Sequence, residues 1–275
     1  MIRNWFVRPS LLLALALGFV SQGAAPALAE ELYFNSYGWD KIYRMDTVTQ
    51  AVTLIPASDI LKTTFFSNAD FGRDGKLYGL ASNELYHVDV SGSTSVWTKE
   101  VKLAENAQCL AFSPLNELYV TNGSTLRKVN RDGTTVPGTT VTVKYFGQDI
   151  SLATIDFGED GTLYGGTSDH VYTINRTSGA ASLVFALPNL NGGIFTDMDV
   201  SLGGMIRVLG SFDYLFDYNP ATGDGGWSPD KLLYNGQAFS PSSLASPVPE
   251  PAALLLLATG GLAALGLGLR RRWWT

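Results

Sequence analysis

Three aspartates stand at one point of a recurring segment: Asp70, Asp156 and Asp199. The segment Asp70-Phe71-Gly72-Arg73-Asp74-Gly75-Lys76-Leu77-Tyr78 returns as Asp156-Phe157-Gly158-Glu159-Asp160-Gly161-Thr162-Leu163-Tyr164, and more weakly as Asp199-Val200-Ser201-Leu202-Gly203-Gly204-Met205-Ile206. Carboxylates converging from three repeats would form an acidic ring able to hold a hard cation such as Ca²⁺ through oxygen ligands. The competing chemistry is plainer: each carboxylate caps backbone amides in its own hairpin. Other reactive side chains are scarce. The single cysteine, Cys109, excludes an internal disulfide framework and a cysteine-rich metal site, and reads as a small core residue. The two histidines, His87 and His170, leave little room for a His-rich metal centre and read as ordinary strand residues. Neither a Gly-x-Ser-x-Gly elbow nor a His-Glu-x-x-His helix occurs. The Asp-Phe-Gly tripeptides at 70–72 and 156–158 also mark kinase magnesium sites. Without a glycine-rich loop, a paired lysine or a His-Arg-Asp, they are strands leading into Asp-Gly turns.

The elements that would position these aspartates follow from the repeat. A fourth copy, Ala111-Phe112-Ser113-Pro114-Leu115-Asn116-Glu117-Leu118-Tyr119, lies between the first two, and positions 71, 112, 157 and 200 are 41, 45 and 43 apart. A second motif follows each copy: Glu84–Asp89, Thr125–Asn130, His170–Asn175 and Tyr214–Asn219, with an earlier member at Lys41–Asp46. All alternate apolar and polar residues with period two, so they are strands. Turn residues come next, such as Thr177-Ser178-Gly179, and then further short strands such as Ala181–Ala186. Four strands in roughly 43 residues is the period of a propeller blade. Five second motifs predict an all-β, five-bladed propeller. Leu32-Tyr33-Phe34 matches a second strand, so the first blade lacks its innermost one. Ala238-Phe239-Ser240-Pro241 matches Ala111-Phe112-Ser113-Pro114 and is expected to supply it, with Ala238 in the aspartate position. Such a strand closes the ring and removes two exposed sheet edges.

A propeller gathers its second-to-third-strand loops and its blade connections at one mouth. In this sequence those loops hold Trp39, Asp40, Asn83, Asn122 and Asp169, and the connections add Asn68, Asn106, Gln108, Gln148 and Asp149. Amides, carboxylates and an indole suit a sugar or a polar peptide, although loops are also polar simply because they are wet.

Composition narrows the partners. Removing the five arginines near the two ends leaves 14 basic residues against 25 acidic ones, a net −11, which excludes a nucleic-acid binder. Residues 1–29 read as a signal peptide: Arg3 and Arg8, then the apolar run Leu11–Val20, then small residues at Ala27 and Ala29. A ten-residue helix spans only about 15 Å, too short for an anchor. Residues 30–244 form the propeller domain and 245–251 a proline-rich linker. Residues 252–275 follow, with the uncharged run Ala252–Leu269, then Arg270, Arg271 and Arg272 and a Trp273-Trp274 pair. That run as a helix covers about 27 Å, enough to cross a bilayer, with the arginines held on the cytoplasmic side.

The tail resembles the PEP-CTERM sorting signal of exported bacterial proteins. Three features in order carry the likeness: Pro249-Glu250-Pro251, the apolar stretch with its Gly260-Gly261 pair, and the arginine cluster Arg270–Arg272. An ordinary C-terminal anchor would share the span alone. The resemblance implies recognition by an exosortase at the inner membrane, removal of the tail, a Gram-negative-type envelope, and delivery to the surface or the extracellular polysaccharide. The expected role is a binding or structural component of that envelope or matrix. The alternatives are a propeller-fold hydrolase or lyase acting on envelope polysaccharide, metal-assisted through mouth carboxylates, and a sensor that keeps its anchor.

Overall fold

The Asp-Gly turns set the architecture. Gly75 and Gly161 adopt φ of 74° and 81°, a region a side chain disfavours. Around each, two backbone bonds close the reversal: Gly72 N–H donates to the Lys76 carbonyl at 2.9 Å and Gly75 N–H to that of Gly72 at 3.0 Å. The same pair recurs at Gly158–Thr162, at Ser113–Glu117 and at Ser201–Met205. In the Ser113 turn, Asn116 at φ 60° takes the glycine's place, asparagine being the residue that best tolerates that region.

A computed structural model describes residues 31–36, 41–56, 68–81, 83–188, 195–201, 203–210, 214–228, 232–235, 237–238 and 241–247. The strands in chain order are β1 (Glu31–Ser36), β2 (Lys41–Asp46), β3 (Val52–Pro56), β4 (Asn68–Phe71), β5 (Leu77–Ala81), β6 (Glu84–Asp89), β7 (Val96–Lys102) and β8 (Cys109–Phe112). They continue as β9 (Leu118–Asn122), β10 (Thr125–Val129), β11 (Val141–Thr142), β12 (Lys144–Tyr145), β13 (Gln148–Asp149), β14 (Thr154–Phe157), β15 (Leu163–Gly166) and β16 (His170–Ile174). The last are β17 (Ala181–Ala186), β18 (Phe195–Val200), β19 (Ile206–Gly210), β20 (Tyr214–Asn219), β21 (Asp224–Trp227), β22 (Leu233–Tyr234), β23 (Gln237–Ala238) and β24 (Pro241–Ala245).

Five four-stranded antiparallel sheets result: β24-β1-β2-β3, β4 to β7, β8 to β11, β14 to β17 and β18 to β21. They are the five blades predicted from the second motif, in chain order. The innermost strands β4, β8, β14, β18 and β24 contact one another in a closed ring. Two hairpins, β12-β13 and β22-β23, stand outside the blades. The signal segment and the apolar tail lie outside the described residues, among which no helix is long and apolar enough to cross a membrane.

The hydrophobic core sits between blades. Leu80 and Leu85 pack on Leu110 and Val120 across one junction, and Ala111 and Leu126 on Ile155 and Leu163 across the next. Phe185 meets Val208, Leu209 meets Phe34, and Tyr33 meets Phe71 at the remaining three. At three junctions a second-strand tyrosine rests against the next blade's innermost phenylalanine: Tyr33–Phe71 at 5.2 Å, Tyr78–Phe112 at 4.7 Å and Tyr119–Phe157 at 5.2 Å between centroids. Arg131 covers the second pair and Arg176 the third, within the range where a cation is drawn to ring faces.

Closure comes from the expected end of the domain but in a different register. The closing strand is Pro241–Ala245, paired antiparallel to β1 with Tyr33 opposite Ala245 and Phe34 opposite Leu244. Ala238 instead pairs with Leu233 in the hairpin outside the blade. The Ala-Phe-Ser-Pro match is thus a local coincidence, overridden because Leu244 fills the core beside Phe34. The domain's contacts also run two residues past 244, since Ser246 bonds Asp199.

Candidate functional site

Alternate residues of the innermost strands build two polar tiers along the axis. One tier holds Asn68, Cys109, Thr154, Asp197 and Ser243, all buried. Asp197 organises it. Its Oδ1 accepts from Met198 N–H at 2.8 Å, from Asn68 Nδ2 at 2.8 Å and from the Thr154 hydroxyl at 2.5 Å. Its Oδ2 accepts from Leu244 N–H at 2.8 Å, fixing the register of the closing strand. Asn68 accepts from Leu110 N–H at 2.8 Å, and the Cys109 thiol reaches the Ala153 carbonyl at 2.8 Å. Asn68, Cys109, Thr154 and Asp197 each tie their strand to the next blade's segment.

The other tier holds Asp70, Asp156 and Asp199, with Ala111 and Ala245 completing the ring. Asp70 accepts from its neighbour Phe71 N–H and from Phe112 N–H of the next blade, both at 2.6 Å. Asp156 does the same with Phe157 at 2.6 Å and Val200 at 2.5 Å. Asp199 accepts from Ser246 N–H at 2.7 Å and from its hydroxyl at 2.8 Å. All three carboxylates therefore accept bonds across a blade boundary, and Asp70 and Asp156 also cap the amide beside themselves. Burial pushes Asp70 up to about 7 against the pull of its two amide bonds, and raises Asp156 well above the usual range, the neighbouring aspartates adding to it. Burial likewise takes Asp197 to about 7 and the Cys109 thiol to about 12. Among the described residues no three His, Cys, Asp or Glu side chains are arranged to hold a metal ion.

Sequence reasoning found Asp70, Asp156 and Asp199 but missed Asp197, and it placed Asn68 at the mouth. Asn68 is 2% exposed and belongs to the axis. The signal was available: Asn68/Asp70 and Asp197/Asp199 sit two apart, on one face of a strand.

The mouth is less uniform. Asn83, at φ 67°, accepts from Ala107 N–H at 3.0 Å and bonds Asn106 at 2.5 Å, holding the connection to the next blade. Gln108 accepts from Gly123 N–H at 3.0 Å, a bond within one blade between the residue ahead of β8 and the β9–β10 turn. Asn122 is exposed. Asp169 lies 2.7 Å from the His170 ring, which holds its carboxyl below the usual range. Gln148 and Asp149 belong to the extra hairpin, where Asp149 meets Lys144 at 3.5 Å. Trp39 and Asp40 lie outside the described residues.

At the opposite end lie the first and last of the described residues, Glu31 and Pro247. Glu31 and Pro247 line one cleft of about 530 Å³, with Tyr33, Arg44, Phe71, Gly75, Lys76 and His87 among its walls. His87 is bonded to Glu100 beside it.

Residues 247–272 match the PEP-CTERM protein-sorting motif. No curated protein matches the chain significantly. A protein of unknown function from Bacteroides thetaiotaomicron is similar in fold, with TM-score 0.55 and 11% identity over 81% of this chain and 62% of that one. A symmetrical protein whose de novo evolutionary emergence is shaped by folding constraints gives TM-score 0.50 and 17% identity, over 80% of this chain and all of that one (100%). A Bacteroides caccae protein of unknown function gives 0.49 and 11%, with coverage of 80% and 100%. The motif implies an exported, membrane-anchored precursor processed by an exosortase. This chain carries a PEP-CTERM sorting motif on a five-bladed β-propeller-like domain.

Proposed function

We propose that the protein is a surface-sorted binding or structural component of a Gram-negative-type envelope or its polysaccharide matrix, with the mouth as its binding face. One observation carries the reading: Pro247, the residue at which the sorting motif begins, lies at the end opposite the mouth. β1 runs from Glu31 to Ser36 while β24 runs antiparallel to it, so Pro247 returns beside Glu31, at the end bearing the Asp74-Gly75 turn. Only four residues separate Pro247 from Ala252, a reach of about 17 Å at full extension. While the tail spans the membrane, that end therefore faces the bilayer and the mouth faces outward. The ligand we assign to the mouth is a neutral, hydroxyl-rich glycan, with Trp39 as a stacking face and Asp40, Asn122 and Asp169 as hydrogen-bonding partners. Asn83 shapes the rim.

Intact mass of the surface form tests the sorting step. The expected species begins at Glu30, after cleavage behind Ala29, and lacks Arg270–Arg272. A surface form that keeps those arginines would mean a plain anchor.

A further inference from the structure

We propose that the cleft between the first two blades is the seat of the chain's own Pro247-Val248-Pro249-Glu250-Pro251 segment, so that the domain holds the sorting motif against its lower face until a processing enzyme draws it out. Pro247 already lines the cleft, so the following residues start inside it. Prolines at every second position, 247, 249 and 251, favour the extended polyproline II form, which needs little further ordering to bind. At about 3.1 Å per residue, that form gives Glu250 a reach of about 9 Å from Pro247. Aromatic-lined grooves are the usual receptors for such segments. Here Tyr33 and Phe71 meet edge to face at 5.2 Å in the cleft wall.

Charge selects the same occupant. Arg44 is held by Glu31 at 3.5 Å, and Asp89 caps Ser91 N–H and its hydroxyl at 2.9 and 2.7 Å. Lys76 is exposed and has no ion-pair partner among the described residues. It is the cation left for the Glu250 carboxylate. The seat itself stands on the cleft; its consequence for processing rests on the sorting reading.

The test uses the full chain in detergent micelles with Lys76→Cys and Glu250→Cys. Cys109, buried and with its thiol raised to about 12, stays unreactive. Under mild oxidation an intramolecular disulfide should form at least about tenfold faster than in a control pairing Glu250→Cys with Asp160→Cys, on another turn of the same end. Equal rates would overturn the seat, and disulfides formed only between molecules would give the cleft to a second copy. In a second measurement, Pro249→Gly with Pro251→Gly should raise acetylation of Lys76 by a soluble active ester several-fold; an unchanged rate also overturns it. Neither readout needs an exosortase, so failed tail removal in cells leaves the seat standing. In an exosortase-bearing host, Lys76→Glu should speed tail removal, and an unchanged rate would sink the gating role alone.

Discussion

At the axis, Asp197 is sealed from solvent and accepts four hydrogen bonds from three other strands and its own backbone. At the mouth, the Asp169 side chain is 65% exposed, and among the described residues its carboxylate bonds to Thr167, Ser168 and His170 of its own turn. Their acidities move in opposite directions. Burial lifts Asp197 to about 7, whereas the His170 hydrogen bond lowers Asp169. A buried carboxylate must have its lone pairs met by the fold, so it becomes a structural tie. An exposed one keeps water as its partner and can exchange that water for a ligand. Location, not residue type, separates stitching from binding capacity.

The largest test of the contrast removes what the axis holds. Deleting Pro241–Ser246 opens the edge of the first blade and strips Asp197 of Leu244 and Asp199 of Ser246. We expect loss of the cooperative transition and aggregation, read by thermal melting and size-exclusion chromatography. A monomer with an unchanged melting temperature would break the closure. Next, Asp197→Ala leaves the Asn68 amide, the Thr154 hydroxyl and the Leu244 amide without their acceptor. It should cost about 3–5 kcal/mol in urea unfolding, since each orphaned buried group costs about 1–3 kcal/mol. A cost under about 1 kcal/mol would show that water takes over the site.

The pH dependence sharpens the comparison further. Asp70 and Asp197 titrate near 7 in the fold, well above the unfolded range near 4. The native state therefore holds extra protons between those values. The stabilisation they supply is full below about pH 4 and lost as pH rises through about 7. The melting temperature should fall by several degrees between pH 5 and pH 8, and Asp70→Asn should flatten that slope. A melting temperature that stays level over this interval would mean that the amide bonds keep both groups ionised throughout. The smallest effects belong to the mouth. Asn122→Ala and Asp169→Ala should change stability by no more than about 0.5 kcal/mol. Trp39→Ala should weaken retention on a neutral polysaccharide gel by about 1–3 kcal/mol without moving the melting temperature. Retention unaffected by Trp39→Ala would remove the glycan from this face.

Much of the frame was legible because blades repeat. Lys41–Asp46 and Tyr214–Asn219 are strands with the expected bounds, since period-two alternation survives whatever the neighbours are. The hairpin β12-β13 left no such trace. Its strands are two residues each, too short for a period, and of its two tip residues only Gly147, at φ 80°, is a turn residue, while Phe146 at φ 48° is not. The sorting tail was legible for a different reason, its three parts being read in line without any fold.

The sequence by itself determined the blade count, the turn positions, the missing strand of the first blade and the sorting tail. All of these depend on residues close together in the chain. Only the tertiary structure decided which segment closes the ring. Ala238 and Ala245 are equally suitable in isolation, and the choice fell to Leu244 packing beside Phe34 and to the Asp197 carboxylate 47 residues upstream of its amide. It decided likewise that Asp70, Asp156 and Asp199 tie neighbouring blades together. A carboxylate's partners across a ring closure are set by which strands meet, and the order of residues along one strand does not encode that meeting.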